Sequence, residues 1–164
     1  MVGQVSDLDL GAAMMGLHDE LARTWFAHQV ALLDRDFARS GAELAKYRRD
    51  LLAHIADEET LVLTRYQELG GDATDAPTRL FLGEHRNLRT FVDEFAGRVA
   101  ALQARPDDAA LLELLDREAT FKNLLLHHDL RERNMLYPFL ATRLSPAQQR
   151  ALLAMRTFAG AGGR

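Results

Sequence analysis

The chain has no cysteine among its 164 residues. That excludes disulfides, thiol nucleophiles and thiolate metal sites, iron–sulfur clusters included, so any bound metal must be held by nitrogen and oxygen. There is no excess of positive charge: the net charge is −4 with six neutral histidines, which gives no basic face for nucleic acid. No apolar run is long enough to span a bilayer. The first residues, Met1 to Asp7, lack the basic and apolar regions of a signal peptide, so a cytoplasmic protein is expected. No segment shows strand-like alternation bounded by turn residues.

What is present is ordinary for a globular chain. Apolar residues make up 48% and charged residues 27%, enough for one domain with its own core. We expect that domain over 1–158, with a disordered tail over 159–164. Spacing of three and four recurs in four series. Met14, His18, Leu21, Trp25, His28 and Leu32 form one, and Tyr47, Leu51, His54, Glu58 and Leu61 the next. Phe81, His85, Leu88, Val92, Phe95, Val99 and Leu102 form the third. The fourth runs through Leu114, Glu118, Phe121, Leu125, His128, Glu132, Met135 and Phe139. These are the inward seams of an all-α fold, an antiparallel up-down-up-down four-helix bundle.

Punctuation supports that division. Ser40 with Glu43 three residues later resembles a capping box opening the second helix, and Gly70-Gly71 stops it. Pro77 suits the first turn of the third helix, and Pro106-Asp107-Asp108 separates the third from the fourth. Ser145-Pro146-Ala147-Gln148 opens a short C-terminal fifth helix, expected to reach about residue 158.

Histidine and glutamate occupy seam positions where apolar residues belong. His54 and Glu58 are four apart, as are His128 and Glu132, so each pair shares one helix face. His85 adds a nitrogen from the third helix. Burying such groups unpartnered is costly, and a metal ion inside the bundle supplies the partner. The first helix offers two candidates. With the first turn near Ser40-Gly41, as the capping signal suggests, His28 lies level with His54. With the turn at Asp34-Arg35-Asp36, His18 is level with His54, and His28 meets Glu118. The capping signal favours His28, leaving His18 towards the end of the bundle near Tyr66 and Tyr137. His127 and Glu59 fall off the seams: His127, beside His128, reads as a surface group or one that supports a metal ligand from behind, and Glu59 reads as exposed. Trp25 and the phenylalanines read as core.

Together these pieces resemble the hemerythrin-like, or HHE cation-binding, domains over roughly Trp25 to Leu140. The resemblance rests on Phe26-Ala27-His28-Gln29, His54-Ile55-Ala56-Asp57-Glu58-Glu59, Gly83-Glu84-His85 and His127-His128-Asp129-Leu130-Arg131-Glu132, followed by Leu136-Tyr137-Pro138. It implies two iron ions, with manganese or zinc possible. His28, His54, His85 and His128 would be terminal ligands, and Glu58 and Glu132 would bridge. It further implies a binding protein that senses, stores or detoxifies iron or a small diatomic or peroxide ligand (oxygen, peroxide or nitric oxide). The alternative is a di-iron oxidase or peroxidase. A third reading, against which the buried His and Glu argue, is a metal-free helical interaction module. Two departures stand out. The family often has a proline after Glu58-Glu59, where this chain has Thr64. The oxygen-carrying members have two histidines four apart on the third helix, whereas Phe81 and Arg89 flank His85 at that spacing.

Overall fold

The computed structural model describes residues 9–160, and all regular structure among them is helical. Helix α1 spans Leu10–Leu33 and α2 spans Phe37–Asp57. A π-helical turn, Glu58–Val62, joins α2 to α3 (Leu63–Glu68), so that the three form one rod. Gly70, in the left-handed region at φ 89°, ends that rod, and a 3-10 turn over Gly71–Ala73 leads on. Helix α4 is Thr78–Ala104, and Pro77 sits just before its first residue. The last rod is α5 (Asp108–Arg131), a second π-helical turn (Glu132–Leu136) and α6 (Tyr137–Arg143). Four rods in antiparallel sequence make the expected bundle. The short helix α7, Pro146–Ala154, follows, opened by a capping box between Ser145 and Gln148. It ends before the expected residue 158, and the tail expected over 159–164 falls largely outside the described residues.

The first turn lies at Asp34-Arg35-Asp36, not at Ser40-Gly41. Arg35 adopts the left-handed conformation at φ 58°. The Asp36 N–H reaches back to the Ala31 carbonyl at 2.9 Å and the Arg35 N–H to that of Leu32 at 3.0 Å, a Schellman ending without glycine. The Asp36 carboxylate then caps α2 by accepting from the Arg39 N–H at 3.0 Å. Ser40 is already one turn inside the helix, where its hydroxyl meets His28. The absence of glycine at the left-handed position hid this turn in the sequence.

The core is in two parts. Trp25, Tyr47, Phe95 and Phe121 are among the side chains filling the half nearer the α1–α2 and α4–α5 turns. Met14, Tyr66, Phe81, Tyr137 and Leu140 fill the other half. Buried polar residues of four rods lie between them.

Candidate metal centre

Both His-x-x-x-Glu pairs sit at the same structural feature. His54 and His128 lie in the last turn of an α-helix, and Glu58 and Glu132 each open the π-turn that follows. In each turn the N–H five residues on, Leu63 or Tyr137, bonds to the glutamate carbonyl. Such wide turns recur at functional sites because they re-aim side chains within a helix. Thr60 and Thr64 stabilise the first by donating their hydroxyls to the carbonyls of Ala56 and Glu59, at 2.7 and 3.2 Å. Thr64, where the family often has proline, therefore supports the turn through its side chain. Pro138, which lacks an N–H, stands at the equivalent place after the second turn.

These side chains converge. Glu58 Oε1 lies 3.5 Å from His54 Nε2, and its Oε2 lies 3.4 Å from His85 Nε2. Glu132 Oε2 lies 3.3 Å from His18 Nε2, and its Oε1 lies 3.0 Å from His128 Nε2. The Nε2 atoms of His18 and His54 are 2.8 Å apart. All six residues are nine-tenths or more buried. Even so, Glu58 Oε2, His85 Nε2 and both oxygens of Glu132 make no hydrogen bond of acceptable geometry within the described residues. Three groupings each bring donor atoms within 4.8 Å of one another: Glu58, His85, His128 and Glu132; His18, His54 and Glu58; and His18, Asp129 and Glu132. Imidazole nitrogens and carboxylate oxygens without thiolates suit iron, manganese or zinc, so the residues present fit the metal that the resemblance implies.

The structure thus gathers His54, Glu58, His85, His128 and Glu132, and places the expected His28 elsewhere. His28 Nε2 lies 2.8 Å from Glu118 Oε1, and the Ser40 hydroxyl is 2.8 Å from its Nδ1. The early turn sets this register, and it brings His18 to the level of His54.

A second layer was missed by sequence reasoning. Glu59 Oε1 lies 3.1 Å from His85 Nδ1, and the same carboxylate is held by Arg89 through two bonds of 2.8 and 2.9 Å. Glu84 Oε2 lies 3.0 Å from His128 Nδ1, and Arg131 donates to its other oxygen. Asp129 Oδ1 lies 3.1 Å from His18 Nδ1. Carboxylates behind three imidazoles orient their inner nitrogens and raise their basicity. Arg89, four residues after His85, thus holds the brace behind it. The Tyr137 hydroxyl donates to Glu58 Oε1. Neither His18 nor His54 makes a hydrogen bond of acceptable geometry at its outer nitrogen within the described residues, and His54 alone of the four has no carboxylate in ion-pair reach of that atom there. The Phe158 ring lies beside it, with centroids 6.3 Å apart.

Charge follows this layout. Burial disfavours a charged His18, but its contact with Asp129 and the Glu132 charge prevail and raise its pKa to about 9. Burial and Glu132 act in the same opposed way on His128, also raised to about 9. Burial dominates at His54, lowering it to about 4. Burial and the negative charge of Glu58 push Glu132 up, while the surrounding histidines, His54 first, outweigh burial at Glu58 and hold it well below the usual range. Burial, with the two glutamates, keeps Tyr137 protonated.

Fold and site together define a helix bundle whose inner face carries a buried His/Glu cluster that could hold a metal ion. The chain belongs to the hemerythrin HHE cation-binding domain family, which it matches over residues 12–140. No curated protein and no solved structure matches it.

Proposed function

We propose that the chain holds two iron ions and uses them to bind a small ligand, of the class of oxygen, peroxide or nitric oxide, in sensing or detoxification. One observation carries the reading: Glu58 and Glu132 each turn one oxygen to the His18–His54 side and the other to the His85–His128 side. A single ion would need only one side of each carboxylate. In this reading His18 and His54 would hold one ion and His85 and His128 the other, with Glu58 and Glu132 available to both. The His85–His128 position would have four protein donors within 4.8 Å of one another. The His18–His54 position would have three, Glu58 being the third, with Glu132 beside His18 at 3.3 Å, and so leaves room for a small ligand. Iron would supply reversible one-electron chemistry and Lewis acidity there. The protein's part is to orient. Glu59, Glu84 and Asp129 hold outer imidazole nitrogens so that Nε2 faces inward, and Tyr137 fixes the Glu58 carboxylate. A cytoplasmic setting belongs to the same proposal; no helix among the described residues is long and apolar enough to cross a membrane.

The test is aerobic reconstitution with iron, followed by elemental analysis and absorption spectroscopy. We expect two irons per chain and an oxo-bridge band that changes with azide, peroxide or nitric oxide. Glu58→Ala and Glu132→Ala should each lose at least one ion; unchanged iron in both variants would overturn the two-ion reading.

A further inference from the structure

A small cavity of about 40 Å³ adjoins the His18–His54 side of the centre. His18, His54 and His128 line its inner wall, and Leu51 and Leu125 make it largely apolar. It approaches the surface at Ala22, which is exposed, on the seam between α1 and α5. A water needs roughly 10–15 Å³ of such volume, so the space suits a ligand of two or three heavy atoms and is too small for an organic substrate.

One polar group in this lining belongs to neither the ligands nor their braces. Tyr47 is fully buried, and its hydroxyl has no hydrogen-bond partner within the described residues. The ring is held by Trp25 at a centroid distance of 4.9 Å and by Phe121 at 6.2 Å. Leaving a buried hydroxyl unpaired is costly, and a cavity beside a metal centre is where a bound molecule can pair it. Burial, then the nearby Asp129 charge, raises its pKa far above the usual range, so it remains an O–H donor.

We infer that Tyr47 is a ligand-positioning residue, whose hydroxyl donates a hydrogen bond to a two- or three-atom ligand seated in this cavity against the His18–His54 half of the centre. The inference rests on the two-ion reading and narrows it. The favoured ligand carries a lone pair or negative charge where it faces Tyr47, and it is no larger than azide or peroxide.

The test uses the iron-loaded full chain with azide as the probe. Tyr47→Phe should retain two irons, while its azide dissociation constant rises about tenfold, the order expected for a lost hydrogen bond to an anion. The azide stretching frequency should respond to D2O in the unaltered chain and lose that response in the variant. Metal-free Tyr47→Phe should melt no lower than the metal-free parent, because the hydroxyl has no internal partner to lose. Unchanged azide affinity and isotope response would overturn the inference, as would a lower melting temperature of the metal-free variant, which would give the hydroxyl a structural bond. A parent chain that holds two irons but no azide would overturn it too. A parent chain that does not take up two irons fails in metal analysis, removing the two-ion reading first and this inference with it.

Discussion

His18 and His28 stand in one seam of one helix, yet the fold gives them different work. His28 and Glu118 are both fully buried and face each other across the bundle at 2.8 Å. Removing one member of such a pair strands the other, at a cost of about 3–5 kcal/mol. We expect His28→Ala to lower the unfolding free energy by about that amount while metal content stays at the parent value. His18→Ala should lose metal from a chain that remains folded. Denaturant titration and elemental analysis on both variants check this, and the reverse pattern would contradict the register described above. The seam spacing made both residues visible in the sequence. What decided between them was a left-handed Arg35, for which sequence offers only the weak signal of a missing glycine. Glu59, Glu84 and Asp129 were illegible for another reason: they work across helices, on partners remote in sequence. At Glu59 the one available signal was its place beside Glu58, level with Arg89. Replacing Glu59 by Gln should weaken metal retention about 10–100-fold, the usual cost of losing an outer partner, measured by competition with a chelator.

At the scale of the helix, the two π-turns could not be read from spacing: the apparent series run on to Leu61 and to Met135 and Phe139, whereas past the turns the fully buried positions are one residue later, at Val62 and at Leu136 and Leu140. The turns place Glu58 and Glu132 alike at the ends of their α-helices. The strap after α7 is a second such element. Asp57, between the His54 and Glu58 positions, accepts hydrogen bonds from the Thr157 N–H and hydroxyl and from the Phe158 N–H, at 2.8–2.9 Å. This fastens Phe158 beside His54. Asp57→Ala should release the strap, reduce stability by about 1–3 kcal/mol, and speed amide exchange at Thr157 and Phe158. Iron should also leave faster to a chelator; an unchanged release rate would show that the strap does not shield the centre.

Across the whole molecule, the centre couples folding to protons and metal. In the metal-free chain His18 and His128 have folded pKa values of about 9, against about 6.5 for unfolded histidine. Their contribution to stability is therefore full below pH 6.5 and is lost as pH rises through 9. The melting temperature of metal-free protein should fall across that window. Both histidines are protonated at pH 7, so loading must displace those protons, and affinity should rise with pH up to about 9. About two protons released per chain, followed with an indicator dye, is the expected result. Metal-loaded protein should melt well above the metal-free form, because binding favours the native state and separates two facing carboxylates.

The bracing of the four histidines is uneven. His85 and His128 are each backed by a carboxylate that an arginine holds, through Glu59–Arg89 and Glu84–Arg131. His18 has Asp129 alone, and His54 has no such support. Within the two-ion reading, a centre built this way has a firm seat and a yielding one. Iron supplied at one equivalent per chain should settle at His85–His128, and the seat beside the Tyr47 cavity should fill last and empty first. That vacant seat would then accept a different metal, so chains loaded in two steps should carry mixed pairs whose order of addition is recorded in which ion a chelator removes.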